Sequence, residues 1–173
     1  MIIKIDGSIA EEMGKNRQLA HKNGTKRYYE DENVEDIIGI CGEIAFAERY
    51  QLEVDKSIRP YGDNHIDFKM IFTKGIFKGK EFTIDIKTAK KPYNLLIKEW
   101  EIDKCATLLI LSKFISKNEI DLLGWDFRKN MAKQPKKIFA PKLGIVNFYK
   151  HFSELESIYK LDIIMKNSKQ IIL

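Results

Sequence analysis

At 173 residues, with 44% hydrophobic and 32% charged side chains, the chain is sized and composed for a single domain, 1–173, with its own core. No apolar run reaches the ~18–20 residues of a membrane span, and no basic region followed by an apolar core opens the chain as a secretory signal would. No membrane partner is therefore expected. The two cysteines, Cys41 and Cys105, fall in expected core elements without metal-type Cys/His spacing, and read as buried free thiols of a cytoplasmic protein.

Ser8-x-x-Glu11 has the spacing of a capping box and predicts a helix to about Lys22, stopped by Asn23-Gly24. Arg17, His21, Lys22, Lys26 and Arg27 there either line a substrate groove or face water. A second helix is expected from Asn33, as its cap, to Tyr50, with Glu35 and Asp36 at its positive end. Val34, Ile37, Ile38, Cys41, Ile44 and Ala45 make its apolar stripe, and Ile40, Phe46 and Ala47 widen it, as for a helix packed on more than one side. Glu43 lies beside that buried face and needs a partner, either a metal site or a lysine. Gly39 and Gly42 each cost about 1 kcal/mol of helix propensity, which close approach to a sheet would explain.

Leu52 to Ile58 reads as a short first strand. Residues 65–72 then alternate, with Ile66, Phe68, Met70 and Phe72 on one face and Asp67, Lys69 and Ile71 on the other; residues 81–88, Glu-Phe-Thr-Ile-Asp-Ile-Lys-Thr, alternate likewise. Thr73 to Lys80, with two glycines and three lysines, reads as the hairpin connection. Folded about Ile76, Asp67 faces Asp85, Lys69 faces Thr83, and Phe68, Met70, Phe82, Ile84 and Ile86 turn to the core. Tyr93 to Glu101 is ambiguous, at most a short helix. Cys105 to Ile115 predicts a strand buried on both faces, and Glu119 to Phe127 the next strand after a turn at Asn118. Ser153-x-x-Glu156 resembles a second capping box opening a helix to about Lys160, and Ile163, Ile164, Ile171 and Ile172 suggest a final strand or docking tail.

The chemistry concentrates on the expected hairpin. Asp85 and Lys87, two apart on a strand, share a face. Asp67 opposite them makes a pair of carboxylates that repel unless a cation sits between them. Two acids and an amine are the equipment for metal-assisted phosphodiester hydrolysis; the alternative is the solvated face of an ordinary hairpin. Asp63 competes with Asp67 for the ligand role, and His65 is a candidate substrate contact. The net charge of +5 is modest but uneven. Between Asp126 and Glu154 there is no acid, yet Arg128, Lys129, Lys133, Lys136, Lys137, Lys142 and Lys150 fall there, and Lys90 and Lys91 extend the Asp85 strand. Such stretches suit a polyanion or merely a solvated loop; Lys90, Lys91, Lys133, Lys136 and Lys137 are the candidate nucleic-acid contacts.

Gly42-Glu43-Ile44-Ala45-Phe46-Ala47, Gly62-Asp63-Asn64-His65-Ile66-Asp67-Phe68 and Asp85-Ile86-Lys87-Thr88 follow one another in that order. In these pieces the chain resembles the PD-(D/E)xK nuclease superfamily, which includes restriction endonucleases and archaeal Holliday-junction resolvases; Ile66 stands where that family usually has proline. The resemblance implies an α/β, restriction-endonuclease-like three-layer core, a mixed β-sheet flanked by helices. It implies Mg²⁺, with Mn²⁺ substituting, held by Asp67, Asp85 and the Ile86 carbonyl, with Glu43 joining directly or through water. Lys87 would orient or deprotonate the attacking water, or neutralise the developing charge; a normal lysine pKa of about 10.4 favours the electrostatic role. The expected function is a Mg²⁺-dependent DNA endonuclease, as a homodimer if both strands are cut. The alternatives are a non-catalytic nucleic-acid-binding or protein-interaction module on the same fold, and a nuclease subunit whose partner recognises the target.

Overall fold

The computed structural model describes residues 1–21, 32–55 and 66–172, with side chains described for 1–16, 36–55 and 66–172. In chain order the elements are β1 (Ile2–Lys4), α1 (Gly7–His21), α2 (Glu32–Tyr50), β2 (Phe68–Phe72), β3 (Glu81–Ala89), β4 (Asn94–Lys98), β5 (Leu108–Ser116), β6 (Glu119–Phe127), α3 (Arg128–Met131), β7 (Lys136–Ala140), β8 (Ile145–His151), α4 (Ile158–Met165) and β9 (Ser168–Ile171). The protein is α/β. A mixed six-stranded sheet runs β1-β6-β5-β3-β2-β9, and an antiparallel three-stranded sheet runs β4-β8-β7. Among the described residues no helix is long and apolar enough to cross a membrane.

The hairpin forms in the expected register. Phe68 pairs with Ile84, Lys69 with Thr83 and Met70 with Phe82. The chain reverses through a 3-10 turn, Gly75–Phe77, between Gly75 and Gly79, both at positive φ where side-chain-bearing residues are strained. One face of the hairpin buries Phe68, Met70, Phe82, Ile84 and Ile86. They pack with Ile40, Cys41, Ile44 and Phe46 of α2 and with Ile158, Leu161 and Met165 of α4. Close approach of α2 to the sheet accounts for Gly42: a Cβ there would lie 1.9 Å from Thr88 Oγ1 and 3.0 Å from Ser112 Oγ. It does not account for Gly39, whose added Cβ would meet nothing within 4 Å.

The other face of the central strands meets the small sheet. Leu109 and Leu111 of β5 join Leu95 and Ile97 of β4, Phe148 of β8, Met131 of α3 and Ile102, Cys105 and Ala106 in a second core. The ambiguous segment Tyr93 to Glu101 makes a strand: Asn94–Lys98 pairs with β8, and only Glu99–Glu101 coils, as a 3-10 turn. Leu95 and Ile97 are buried while their neighbours are half-exposed, so the segment follows the period of a strand, not of a helix.

Other expectations shift at their ends. Asp6, not Ser8, caps α1: its Oδ1 accepts from the Ser8 amide at 3.0 Å and the Ser8 hydroxyl at 2.7 Å. Asn33 lies one residue inside α2. Leu52 to Asp55 is not a strand, and 56–58 lie outside the described residues. β5 begins at Leu108, three residues after Cys105, and β6 spans Glu119–Phe127 as expected. The last helix starts at Ile158, because Glu156 is held extended by two backbone bonds to Trp125, 3.0 and 2.9 Å. Ile163 and Ile164 belong to that helix, and Ile171 ends β9. Cys41 and Cys105 are buried and free. Asp63, His65, Lys22, Lys26 and Arg27, with the side chains of Arg17, His21, Val34 and Glu35, lie outside the described residues.

Candidate active site

Strand alternation on β3 sends Ile84, Ile86 and Thr88 toward α2, and Asp85 and Lys87 toward the small sheet. Asp85 is 3% exposed, and Lys87 Nζ stands 2.7 Å from its Oδ2. The expected acid–amine pair is therefore formed. Asp67 sits one step before β2, so the hairpin register carries it to the Asp85–Ile86 stretch of β3. Its amide donates to Ile84 O at 2.8 Å, and its Oδ2 accepts from the Ile86 amide at 2.6 Å. The Asp67 carboxylate is thus fixed by backbone, which makes it rigid at small cost in side-chain entropy.

Burial works against the Lys87 ammonium, but the Asp85 carboxylate beside it, and then Asp67 and Glu101, outweigh that cost and hold its pKa above the ordinary lysine value. Glu101 was not among the residues expected there. It belongs to the 3-10 turn after β4 and pairs with Lys98 Nζ at 2.8 Å. Its only sequence signal is the Lys98–Glu101 spacing of three. Cys105 also adjoins the site. Burial pushes its thiol up to about 11, with Asp85 and Lys87 among the charges acting on it. At neutral pH it is a thiol, which donates to Ile102 O at 3.5 Å, and not a metal-ready thiolate.

Glu43 is 7% exposed on α2. Since Gly42 beside it abuts Ile86 and Thr88, the helix that carries Glu43 covers the face of β3 opposite to Asp85 and Lys87. Among the carboxylates that act on Lys87 are Asp85, Asp67 and Glu101. The structure brings Asp67, Asp85 and Lys87 together, with Glu101 near enough to act on the ammonium, and buries Glu43 on α2 next to Gly42.

Among the described residues no group of three His, Cys, Asp or Glu converges tightly enough to form a ready cation site. Mg²⁺ does not require one: it commonly keeps several waters and takes one or two carboxylates plus substrate phosphate oxygens. Asp85 on β3 and Asp67, one step before β2, are hard oxygen donors of that kind, with the Ile86 carbonyl in the same stretch of backbone.

The basic residues divide. Arg128 Nη1 donates to the Asp103 and Cys105 carbonyls, at 3.1 and 2.9 Å, and Lys150 Nζ stands 2.6 Å from buried Asp126; both serve the fold. Lys136 pairs with Glu99 at 2.6 Å. Lys90, Lys91, Lys133 and Lys137 are exposed. Lys91 lines one cleft with Lys87, and Lys137 Nζ lies 5.7 Å from the ring centre of Phe139, a residue of the same cleft. Lys133 lies just past α3. No protein-family model matches the chain, and no curated protein and no solved structure matches it significantly.

Proposed function

We propose that the chain is a Mg²⁺-dependent DNA nuclease with a restriction-endonuclease-like core, whose centre is Asp67, Asp85 and Lys87. The observation that carries this reading is the Asp85–Lys87 pair at 2.7 Å, with Asp67 pinned to the Ile86 amide beside it. Around Lys87 stand the carboxylates of Asp85, Asp67 and Glu101. Carboxylates gathered in a half-buried place favour a cation among them. When bound, Mg²⁺ supplies polarisation of the phosphodiester and lowers the pKa of water. Asp67 and Asp85 would hold it. Lys87, kept protonated by its neighbours, is a poor base and a good electrostatic partner for charge developing on the attacked phosphate.

One observation favours a second reading, a non-catalytic nucleic-acid-binding module on this fold. Lys150 neutralises Asp126 at 2.6 Å much as Lys87 neutralises Asp85, so a carboxylate–lysine pair here can be structural. Cleavage assays on single-stranded, duplex, flapped and four-way DNA, in Mg²⁺ or Mn²⁺ against EDTA, separate the two. The nuclease reading expects metal-dependent cleavage that Asp67→Ala and Asp85→Asn each abolish in folded protein. Purified protein without cleavage on any substrate, or with cleavage untouched by Asp85→Asn, returns the site to a structural role.

A further inference from the structure

Beside Lys87 a cleft of about 340 Å³ opens between the end of β3 and the small sheet. Leu96 and Leu111 form part of its wall, and Tyr93 and Phe139 contribute aromatic rings. Tyr93 is 64% exposed and Phe139 38%, so both rings face water that an apolar partner would displace. Its charged lining is Lys87 and Lys91; among the described residues no carboxylate lines it. Lys137 adds its ammonium near the Phe139 ring.

We propose that this cleft receives an unstacked base of single-stranded DNA, next to the phosphate presented to Lys87. The proposal rests on the reading of Asp67, Asp85 and Lys87 as the cleavage centre, and it names the substrate class of that centre. Three features converge on it. Aromatic rings beside ammonium groups are the means by which proteins hold single strands: bases stack on the rings while lysines follow the phosphates. The cleft is at the small end of ligand pockets, which span ~300–1,000 Å³, so it has room for one flat group and not for a base pair with its backbone. Finally, the faces of a duplex base are covered by its neighbours, so only a base out of the stack can meet Tyr93 and Phe139. The Asn94 side chain, also in the lining, offers a donor and an acceptor to a base edge.

The test uses the full chain in EDTA, where no metal-dependent cleavage occurs. A fluorescein-labelled oligothymidylate and a duplex of equal length are titrated by fluorescence anisotropy, and a single strand carrying 2-aminopurine reports stacking by quenching. The expected result is tighter binding of the single strand, quenching on binding, and a loss of about 10-fold in single-strand affinity in Tyr93→Ala with little change for duplex. Tyr93→Phe should keep most of the affinity, because the ring and not the hydroxyl stacks. Phe139→Ala should act in the same direction; its ring also packs on Tyr149 at 5.3 Å, so the exposed Tyr93 is the decisive position if that variant misfolds. Equal affinity for single strand and duplex, or wild-type single-strand binding in folded Tyr93→Ala, overturns the cleft as a base site even if the protein cleaves DNA. Single-strand preference that depends on Tyr93, in a protein that cleaves nothing with Mg²⁺, overturns only the nuclease reading. Binding of neither oligonucleotide overturns the cleft proposal.

Discussion

A single row across three strands, Asp85 on β3, Leu109 on β5 and Asp126 on β6, carries a buried carboxylate at each end, and each carboxylate has a lysine against it. The two ends are built differently. Asp126 accepts from the Phe127 amide and the Asn130 side chain at 2.7 Å each, and from Lys150 at 2.6 Å. Its lysine comes from β8, so the pair ties the small sheet to the large one. At the other end, Lys87 belongs to the same strand as Asp85. It is also shared: Asp67 and Glu101 act on it, and its side chain is 32% exposed toward the cleft. A carboxylate saturated by donors from two layers is a structural cross-link. One that shares a part-exposed lysine with other acids is what the proposed nuclease centre would need to take a cation and a phosphate.

The largest expected effect is at the structural end. Asp126→Ala leaves Lys150 in a mostly buried place without its carboxylate, which should cost about 3–5 kcal/mol of stability. For a domain of this size that is a fall in Tm on the order of 10 °C, read by calorimetry. Mg²⁺ should not restore it. A Tm within about 2 °C of wild type would show that the pair is no cross-link and remove half of the contrast.

The opposite behaviour is expected at Lys87. Lys87→Ala should lower the cleavage rate by roughly 10²–10³, as removal of one preorganised electrostatic donor does. Its stability should fall in EDTA, because Asp85 loses its ammonium, and recover in Mg²⁺ by the mass action of a ligand that binds only the folded state. Lys87→Arg should not recover the full rate, since a planar guanidinium places its charge differently. A Lys87→Ala protein whose melting is indifferent to Mg²⁺ would make Asp85 as structural as Asp126.

Much of this contrast is half-legible in the sequence. Strict alternation and a glycine-bounded turn determine the hairpin, so the pairing of Lys69 with Thr83 and the shared face of Asp85 and Lys87 follow from period 2 alone. The small sheet does not follow so easily. β7 is exposed along most of its length, β4 and β8 are only half-buried, and β4 is paired with a strand some fifty residues on, so local pattern carries little of it. Glu101 enters the site only because that sheet brings its 3-10 turn over β3. The start of α4 departs from the local capping pattern for the same reason: a bridge to Trp125, distant in sequence, overrides it.

A smaller effect tests the dry face against the charged one. Gly42→Ala places a methyl 1.9 Å from Thr88 Oγ1, which is itself hydrogen-bonded to Ser112 Oγ at 2.8 Å. Overpacking there should cost about 1–3 kcal/mol in denaturant titration. Gly39→Ala, with open space at its Cβ, should be neutral or stabilise by up to about 1 kcal/mol through helix propensity. If the two alanines behaved alike, α2 would not press on β3 as described. Because the α2 side holds Ile86 and Thr88 and not Lys87, the rate of folded Gly42→Ala should fall far less than that of Lys87→Ala.

The smallest effect concerns the outlying lysines. Neutralising Lys133, Lys136 and Lys137 together should weaken DNA binding similarly for unrelated sequences, because lysines meet phosphates and read no base. The log–log salt slope should flatten by about 0.9 for each duplex phosphate no longer neutralised, or by about 0.7 on a single strand. The three are not equivalent. Lys136 is engaged by Glu99 at 2.6 Å, whereas Lys137 lies near the Phe139 ring of the cleft. Lys137→Gln should therefore carry more of the change than Lys136→Gln, and more on single-stranded than on duplex DNA. The rate at saturating substrate should hold, since these residues would position the strand and not stabilise the transition state. A slope unchanged in the triple variant assigns the stretch to solvation and leaves Lys87 and Lys91 to meet the phosphates at the cleft.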